Sequence, residues 1–151
     1  MIDNFDLAIL AELQNNGKTT QKELSQVINL SLTPTFERVK KLEKEGYITG
    51  YHAHLDVRKL GYNLTALCYV SLRIHQKDVI EKFQKEVVSF EEVRSCFHIA
   101  GQFDYLLKVV VKDMTEYQQF ISTKLASLEN IGNVQSSFVL TELKQEFGLK
   151  L

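Results

Sequence analysis

Apolar residues recur at helical spacing through the first sixty positions of the chain. Four of them fall on one side of a predicted helix of about three turns: Ile2, Phe5, Ile9 and Leu13. Gly17 follows an Asn-Asn pair and is a candidate for a left-handed cap at the end of this helix. Thr20 and Glu23 have the spacing of a capping box, which predicts that a short second helix begins there.

A third helix is predicted to begin near Ser31 or Thr33, either of which is able to cap it. Pro34 fits the first turn, where its missing N–H costs nothing, and Gly46 ends the helix. The predicted core face of this helix carries Leu32, Phe36, Val39 and Leu42. Residues 47–55 alternate loosely around a glycine and predict a small two-stranded wing.

The period of the pattern changes to strict alternation after residue 63. Six apolar residues occupy every second position from 64 to 74: Leu64, Ala66, Cys68, Val70, Leu72 and Ile74. Helical spacing returns at 79–88 and 117–128, and further strand-like runs occur at 93–99, 105–112 and 134–140. The order β-α-β-β-α-β is the ferredoxin-like, or split βαβ, arrangement, so the predicted fold class is α+β.

The pattern divides the chain into residues 1–55, a linker at 56–63, and a second domain at 64–151, with a short tail helix possible at 141–147. An antiparallel sheet packed on two helices leaves one face bare, and Leu67 and Val110 fall on that face. Monomers rarely expose such a surface, so the pattern predicts sheet-to-sheet dimerisation.

Composition changes this picture little. Among the 151 residues, 44% are hydrophobic and 25% charged, which excludes wholesale disorder. No apolar run reaches membrane-spanning length and the N-terminus lacks a signal-peptide pattern, so no membrane partner and a cytoplasmic location are expected. The net charge of −1 argues against a general polyanion-coating protein, but permits a binder whose positive charge is confined to one face.

Positive charge is concentrated on the predicted third helix, which carries Arg38, Lys40, Lys41 and Lys44. The second helix of a helix-turn-helix pair places its N-terminal residues at base edges, while neighbouring basic groups hold phosphates. The candidate DNA-binding residues are Thr33, Pro34, Thr35, Glu37, Arg38, Lys41 and Lys44. By spacing alone, an ordinary solvated face with Glu–Lys pairs remains an alternative.

Several short patterns occur in one order along nearly the whole chain. The first half contains Asp6-x-x-Ile9-Leu10-x-x-Leu13, then Arg38-Val39-x-x-Leu42-Glu43-x-x-Gly46-Tyr47-Ile48-x-Gly50-Tyr51 and Leu60-Gly61. The second half contains Gly101-x-Phe103-Asp104-Tyr105-Leu106-Leu107 and Asp113-Met114-x-x-Tyr117. Together these closely resemble the Lrp/AsnC family of prokaryotic transcription regulators, also known as feast/famine regulatory proteins.

The resemblance implies an N-terminal winged helix-turn-helix and a C-terminal ligand-sensing ferredoxin-like domain. Members bind double-stranded DNA, respond to free amino acids, and form homodimers that often associate into octamers. The effector usually lies near the turn that corresponds here to Gly101–Asp104. The candidate effector-binding residues are His98, Gly101, Gln102, Phe103, Asp104, Tyr105, Gln135, Ser136 and Ser137.

The residue types at this turn suit an α-amino acid. Gly101 allows backbone N–H groups to approach a carboxylate, and Asp104 offsets an ammonium group. A plain hairpin turn with an Asp cap is the alternative interpretation of the same residues.

No other chemistry is predicted. The pair His52 and His54 lacks further metal ligands nearby, and no catalytic grouping stands out, so neither a cofactor, a metal nor an enzymatic reaction is expected. Two alternatives to an effector-responsive regulator remain at this point: a constitutive DNA-bending architectural protein, and a small-molecule binding module that does not bind DNA.

Overall fold

A computed structural model describes residues 2–145 and 148–151, which divide into two compact units. The helical unit contains α1 (Asn4–Asn15), α2 (Gln21–Val27) and α3 (Leu32–Lys44). The sheet unit comprises Leu55–Glu142.

Reciprocal capping hydrogen bonds stabilise the N-termini of α1 and α2. The Asp3 side chain accepts a hydrogen bond from the Asp6 backbone, while the Asp6 carboxylate accepts one from the Asp3 N–H. Thr20 and Glu23 form the predicted capping box at α2. Each pair satisfies backbone donors that a helix start otherwise leaves unpaired.

The turn between α2 and α3 spans residues 28–31. Asn29 adopts φ 52°, a left-handed conformation that asparagine tolerates better than most residues. Ser31 occupies the N-cap position of α3, although its side chain makes no capping hydrogen bond. Pro34 lies in the first turn, as predicted. This short helix-turn-helix fixes the position of α3 against α2.

Gly46 ends α3, as predicted, with φ +78°. The N–H of Gly46 donates to the Glu43 carbonyl, and the N–H of Tyr47 donates to the Leu42 carbonyl at 2.9 Å. These bonds form a Schellman motif, which satisfies carbonyls at the helix end. The corresponding prediction for Gly17 was wrong, because the C-cap residue of α1, Asn16, is extended and Gly17 has no positive φ.

The core of the helical unit differs from prediction in the orientation of α3. Its buried residues there are Thr35, Val39 and Leu42, whereas Leu32 is 54% and Phe36 44% exposed. Viewed down the axis of α3, the buried face is therefore displaced from the predicted face. The displacement is roughly half of the rotation that separates one residue from the next. Thr35 takes the place of Phe36 in the core, and its hydroxyl can be buried there because Oγ1 donates to the Ser31 carbonyl at 2.9 Å.

The predicted two-stranded wing is also wrong in its detail. Residues 47–55 are all described, and none of them lies in a strand. Two short strands that pair only with each other are marginal, and Gly50 weakens the alternation further. The segment has no regular secondary structure.

The sheet unit has the predicted ferredoxin-like order. Its elements are β1 (Leu64–Leu72), α4 (Lys77–Val87), β2 (Val93–His98), β3 (Tyr105–Val111), α5 (Met114–Gln119) and β4 (Ile131–Phe138). Between α5 and β4 the chain continues through a π-helical turn, Phe120–Lys124, and a 3-10 turn, Leu125–Ser127. The strands are ordered β2-β3-β1-β4 and every pairing is antiparallel, which confirms the α+β fold class.

Strand alternation separates a covered face of the sheet from a bare one. Ala66, Cys68 and Val70 of β1, with Leu107 and Val109 of β3, are fully buried in the core that also contains residues of α4 and α5. The opposite side carries a mainly apolar set that we term the bare face: Leu67, Tyr69, Phe97, Leu106 and Val110. Leu67 and Val110 lie where the alternation predicted them.

The C-terminal end of the chain does not follow the expected domain limits. The described residues of 143–151 group with the helical unit, and 55–63 group with the sheet unit. The Gln14 side chain donates to the Leu149 carbonyl at 2.6 Å and accepts from its N–H at 2.9 Å. Residues 141–145 are not helical, and the remainder of the predicted tail helix, 146–147, lies outside the described residues.

No helix among the described residues is long and apolar enough to cross a membrane.

Candidate functional sites

The first candidate site is the exposed side of α3. Thr33, Pro34, Glu37 and Lys44, all of them predicted site residues, are exposed there. Lys40, which the sequence interpretation left out, lies on the same side, with its Nζ 5.6 Å from the centre of the Phe36 ring. The basic run contained the signal for Lys40, but the predicted orientation of the helix left Lys40 out of the face opposite the core.

Thr35 must be removed from this candidate site. Its side chain is fully buried and its hydroxyl bonds to the Ser31 carbonyl. A side chain in this position contacts the core of the helical unit and has no surface to offer DNA.

Arg38 and Lys41 turn from this exposed side toward the start of α1. Arg38 Nη1 donates to Asp3 and to Asp6 at 2.7–2.9 Å, and Lys41 Nζ lies 3.4 Å from Asp6 Oδ2. The Asp6 side chain is only 1% exposed. Burial opposes its ionisation, but the hydrogen bonds from Arg38 and the Asp3 N–H outweigh burial and hold the pKa of Asp6 below its usual value. This arrangement, which we term the acidic clamp, fixes Arg38 within the helical unit.

The second candidate site is the turn between β2 and β3. Gly101 has φ +151°, in a region that side-chain-bearing residues rarely adopt. Asp104 closes the turn through its backbone, because its N–H donates to the Val70 carbonyl and its carbonyl accepts from the Ile99 N–H. The turn is therefore tied to β1 by backbone bonds as well as to its own two strands.

The Asp104 carboxylate already has two partners. One oxygen accepts the Leu72 N–H at 2.7 Å, and the other lies 2.8 Å from His75 Nε2. Partial burial raises the pKa of Asp104, but these two hydrogen bonds together outweigh it and the pKa lies below its ordinary value. His75 was missed at this site, since nothing in the spacing of two residues so distant along the chain signals their contact.

The remaining predicted effector residues fall on two different faces of the sheet. Gln135 and Ser137 pair with Tyr69 and Leu67, so they lie on the bare face. The Phe103 ring also lies on this side, with its centre 5.4 Å from that of Tyr69. The Phe103 ring thus links the turn to the bare face, on which Gln135 and Ser137 lie. Tyr69 was missed because its place in the alternation indicated only a strand position.

His98, Tyr105 and Ser136 lie toward the covered face instead. Tyr105 is 1% exposed, its hydroxyl accepts from Gln84 of α4 at 2.8 Å, and the His98 ring stacks on it at 4.7 Å. The Ser136 hydroxyl accepts a hydrogen bond from Tyr117. Tyr105 is thus a core residue, and its prediction as an effector contact was wrong, because strand alternation turns its side chain away from the bare face.

Among the residues described, no group of three or more His, Cys, Asp or Glu side chains could hold a metal ion. The two thiols are free, and burial raises the pKa of both Cys68 and Cys96.

Comparison with known proteins gives matches across both units. Residues 65–149 match the family model described as the Lrp/AsnC ligand binding domain, and residues 2–49 match a winged helix-turn-helix DNA-binding model. The chain belongs to the Lrp/AsnC family. The family assignment agrees with the fold, in which a helix-turn-helix precedes a four-stranded ferredoxin-like sheet.

Relatives within the Lrp/AsnC family are similar over most of their length. The Bkd operon transcriptional regulator of Pseudomonas aeruginosa is 39% identical, over 92% of this chain and 91% of its own. The leucine-responsive regulatory protein of Haemophilus influenzae is 40% identical, over 95% of this chain and 87% of its own. A transcriptional regulator of Neisseria meningitidis, crystallised in complex with L-Met, is 38% identical, with a TM-score of 0.93 over 99% of this chain and 97% of its own.

Proposed function

We propose that this protein is a sequence-specific transcription regulator that binds double-stranded DNA through α3 and responds to a free amino acid bound at the Gly101–Asp104 turn. The exposed side of α3 carries the DNA-binding half of the proposal. Thr33 and Pro34 lie at its start, and Lys40 and Lys44 extend along it. A recognition helix with this layout fits the major groove, with its first residues at base edges and its basic groups near phosphates. The proposal assigns the protein no catalytic reaction.

A homodimer formed through the bare face completes this proposal. Two-fold symmetry presents two α3 helices to a pseudo-palindromic site. Association of such dimers into an octamer is the larger assembly that we propose. We also propose that the protein acts in the cytoplasm.

The proposed response to an amino acid is supported by the geometry of the Gly101–Asp104 turn and by the relatives of the chain. The Neisseria regulator was crystallised with L-Met, and the Haemophilus relative is named leucine-responsive. Asp104 is held in its ionised form, and an ionised carboxylate has acceptor positions beyond the two already used. We propose that the effector contacts Gly101, Gln102, Phe103, Asp104, Gln135 and Ser137, and we leave out His98 and Ser136 because they lie toward the covered face with Tyr105.

Fluorescence anisotropy tests the DNA half directly. The protein is titrated onto the duplex upstream of its own gene and onto a scrambled duplex of the same length at physiological salt. We expect a preference of about 10³-fold or more for the first duplex. Equal affinity for both favours the constitutive architectural alternative, and an absence of binding to either contradicts the proposal.

A thermal-shift panel of amino acids tests the effector half. An amino acid at about 100 times its Kd stabilises the folded protein by about 2.7 kcal/mol. Asp104→Asn keeps an acceptor for the Leu72 N–H but removes the charge, so we expect it to weaken the shift. The matched control is Asp78→Asn, at an exposed carboxylate in the first turn of α4. Equal shifts for both variants would remove Asp104 from the site.

A further inference from the structure

The second turn of α3 presents two exposed side chains that its basic residues do not explain. Phe36 and Glu37 are the fifth and sixth residues of the helix, and both are exposed. Phe36 leaves 44% of its surface open, although a large aromatic side chain is stabilised by burial. Glu37 makes no hydrogen bond or ion pair with any part of the chain that the structure describes.

The absence of an ion pair at Glu37 contrasts with the lysines around it. Lys41, one turn further along α3, lies 3.4 Å from Asp6 in the acidic clamp. Lys40 Nζ lies 3.2 Å from Glu43. The cations that ordinary helix spacing offers to Glu37 are thus bound to other carboxylates, and the Glu37 charge faces solvent alone.

An unpaired carboxylate is unfavourable on a surface that approaches phosphates, because it repels them. One feature of the major groove reverses this effect. The exocyclic amino group of cytosine donates a hydrogen bond that glutamate or aspartate accepts. A carboxylate at this position therefore weakens binding to DNA in general and favours a site with cytosine opposite it.

The exposed ring next to it suits a different base. The methyl group of thymine is the apolar feature of the major groove, and phenylalanine is among the side chains that contact it. Lys40 lies 5.6 Å from the centre of the Phe36 ring, which keeps a positive charge beside the aromatic surface. Both residues lie in the N-terminal half of the helix, where recognition helices contact base edges.

We propose that Phe36 and Glu37 determine the base specificity of α3, with Glu37 selecting cytosine and Phe36 selecting thymine within each half-site. This inference rests on the proposed DNA binding. It assigns sequence recognition to an acidic and an aromatic residue, and leaves Lys40 and Lys44 to hold the backbone.

Selection from a randomised duplex library with the full-length protein tests the inference. The wild-type protein is expected to enrich one motif with a cytosine position and a thymine position in each half-site. Glu37→Ala should lose the preference for cytosine, by about 5- to 100-fold at that position, and bind scrambled DNA more tightly. Glu37→Gln should replace cytosine with adenine, because glutamine pairs with the adenine edge. Phe36→Ala should lose the preference for thymine alone.

The matched control is Glu45→Ala, which removes an exposed carboxylate at the far end of the same helix. It should enrich the wild-type motif without change. Enrichment of the unchanged wild-type motif by Glu37→Ala, Glu37→Gln and Phe36→Ala would overturn the inference while leaving the proposed function intact. Failure of the wild-type protein to enrich any motif would overturn the proposed function as well, so the two failures give different results.

Discussion

At the scale of single residues, the acidic clamp gives Arg38 and Lys44 different roles, although the two cations look equivalent in the sequence. Arg38 bonds to Asp3 and Asp6, while Lys44 is exposed on the other side of the same helix. A carboxylate as buried as that of Asp6 is costly to leave without its partner. Arg38 therefore contributes mainly to the fold of the helical unit, and Lys44 is the better candidate for a phosphate contact.

This difference predicts opposite outcomes for two alanine substitutions. Arg38→Ala should lower the free energy of unfolding by about 2–3 kcal/mol, because Asp6 keeps only Lys41 as a partner cation. Lys44→Ala should change it by less than about 0.5 kcal/mol, yet reduce the salt dependence of DNA binding by about one ion. Urea unfolding and anisotropy titrations at several salt concentrations measure these two quantities. A Lys44→Ala protein with an unchanged salt slope would contradict the assignment.

At the scale of the elements, glycine conformation distinguishes two helix ends that the sequence presents alike. An added Cβ at Gly46 would meet no atom within 4 Å, so the only cost of Gly46→Ala is its φ of +78°. We expect this substitution to lower the free energy of unfolding by about 1–2 kcal/mol. Gly17→Ala is the control, since its new Cβ would contact Tyr51 at an ordinary 3.7 Å without a positive φ. Thermal unfolding that ranks Gly17→Ala as the more damaging change would refute this account.

The elements also differ in how far the sequence alone could predict them. The strict alternation gave the buried face of β1 correctly from Ala66 to Leu72, whereas Ile74, the last residue of the predicted pattern, lies beyond the strand and is 50% exposed. In α3 the two apolar residues Leu32 and Phe36 suggested a face that the structure exposes. The true orientation buries Thr35, whose hydroxyl is satisfied within its own helix, and brings Arg38 to Asp6 of α1. Neither a buried hydroxyl nor a contact between distant residues can be inferred from apolar spacing.

At the scale of the whole molecule, the bare face of the sheet is the surface through which we propose that the protein dimerises. Leu67, Leu106 and Val110 form an apolar surface that neither α4 nor α5 covers. A monomer rarely leaves a contiguous apolar surface exposed, so we expect this surface to be buried against a second copy of the chain. The alternation predicted this surface from the sequence, whereas the grouping of Leu149 with Gln14 of α1 could not be predicted, because it joins residues from opposite ends of the chain.

A charge placed on the bare face should prevent association. Val110→Glu is expected to reduce the mass measured by light scattering to that of a monomer, because dimerisation would bury an unpaired carboxylate. Val88→Glu makes the same change at an exposed position after α4 and should leave the mass unaltered. An oligomer of unchanged mass for Val110→Glu would show that the bare face is not the interface.

The anchored turn at Asp104 has a consequence for the thermodynamics of ligand recognition. Its carboxylate, its N–H and its carbonyl are all hydrogen-bonded to the ends of neighbouring strands. A ligand that arrives at this turn meets a backbone that is already ordered, so little conformational entropy remains to be lost on binding. Differences in affinity among amino acids would then reflect the fit of their side chains rather than the work of organising the site.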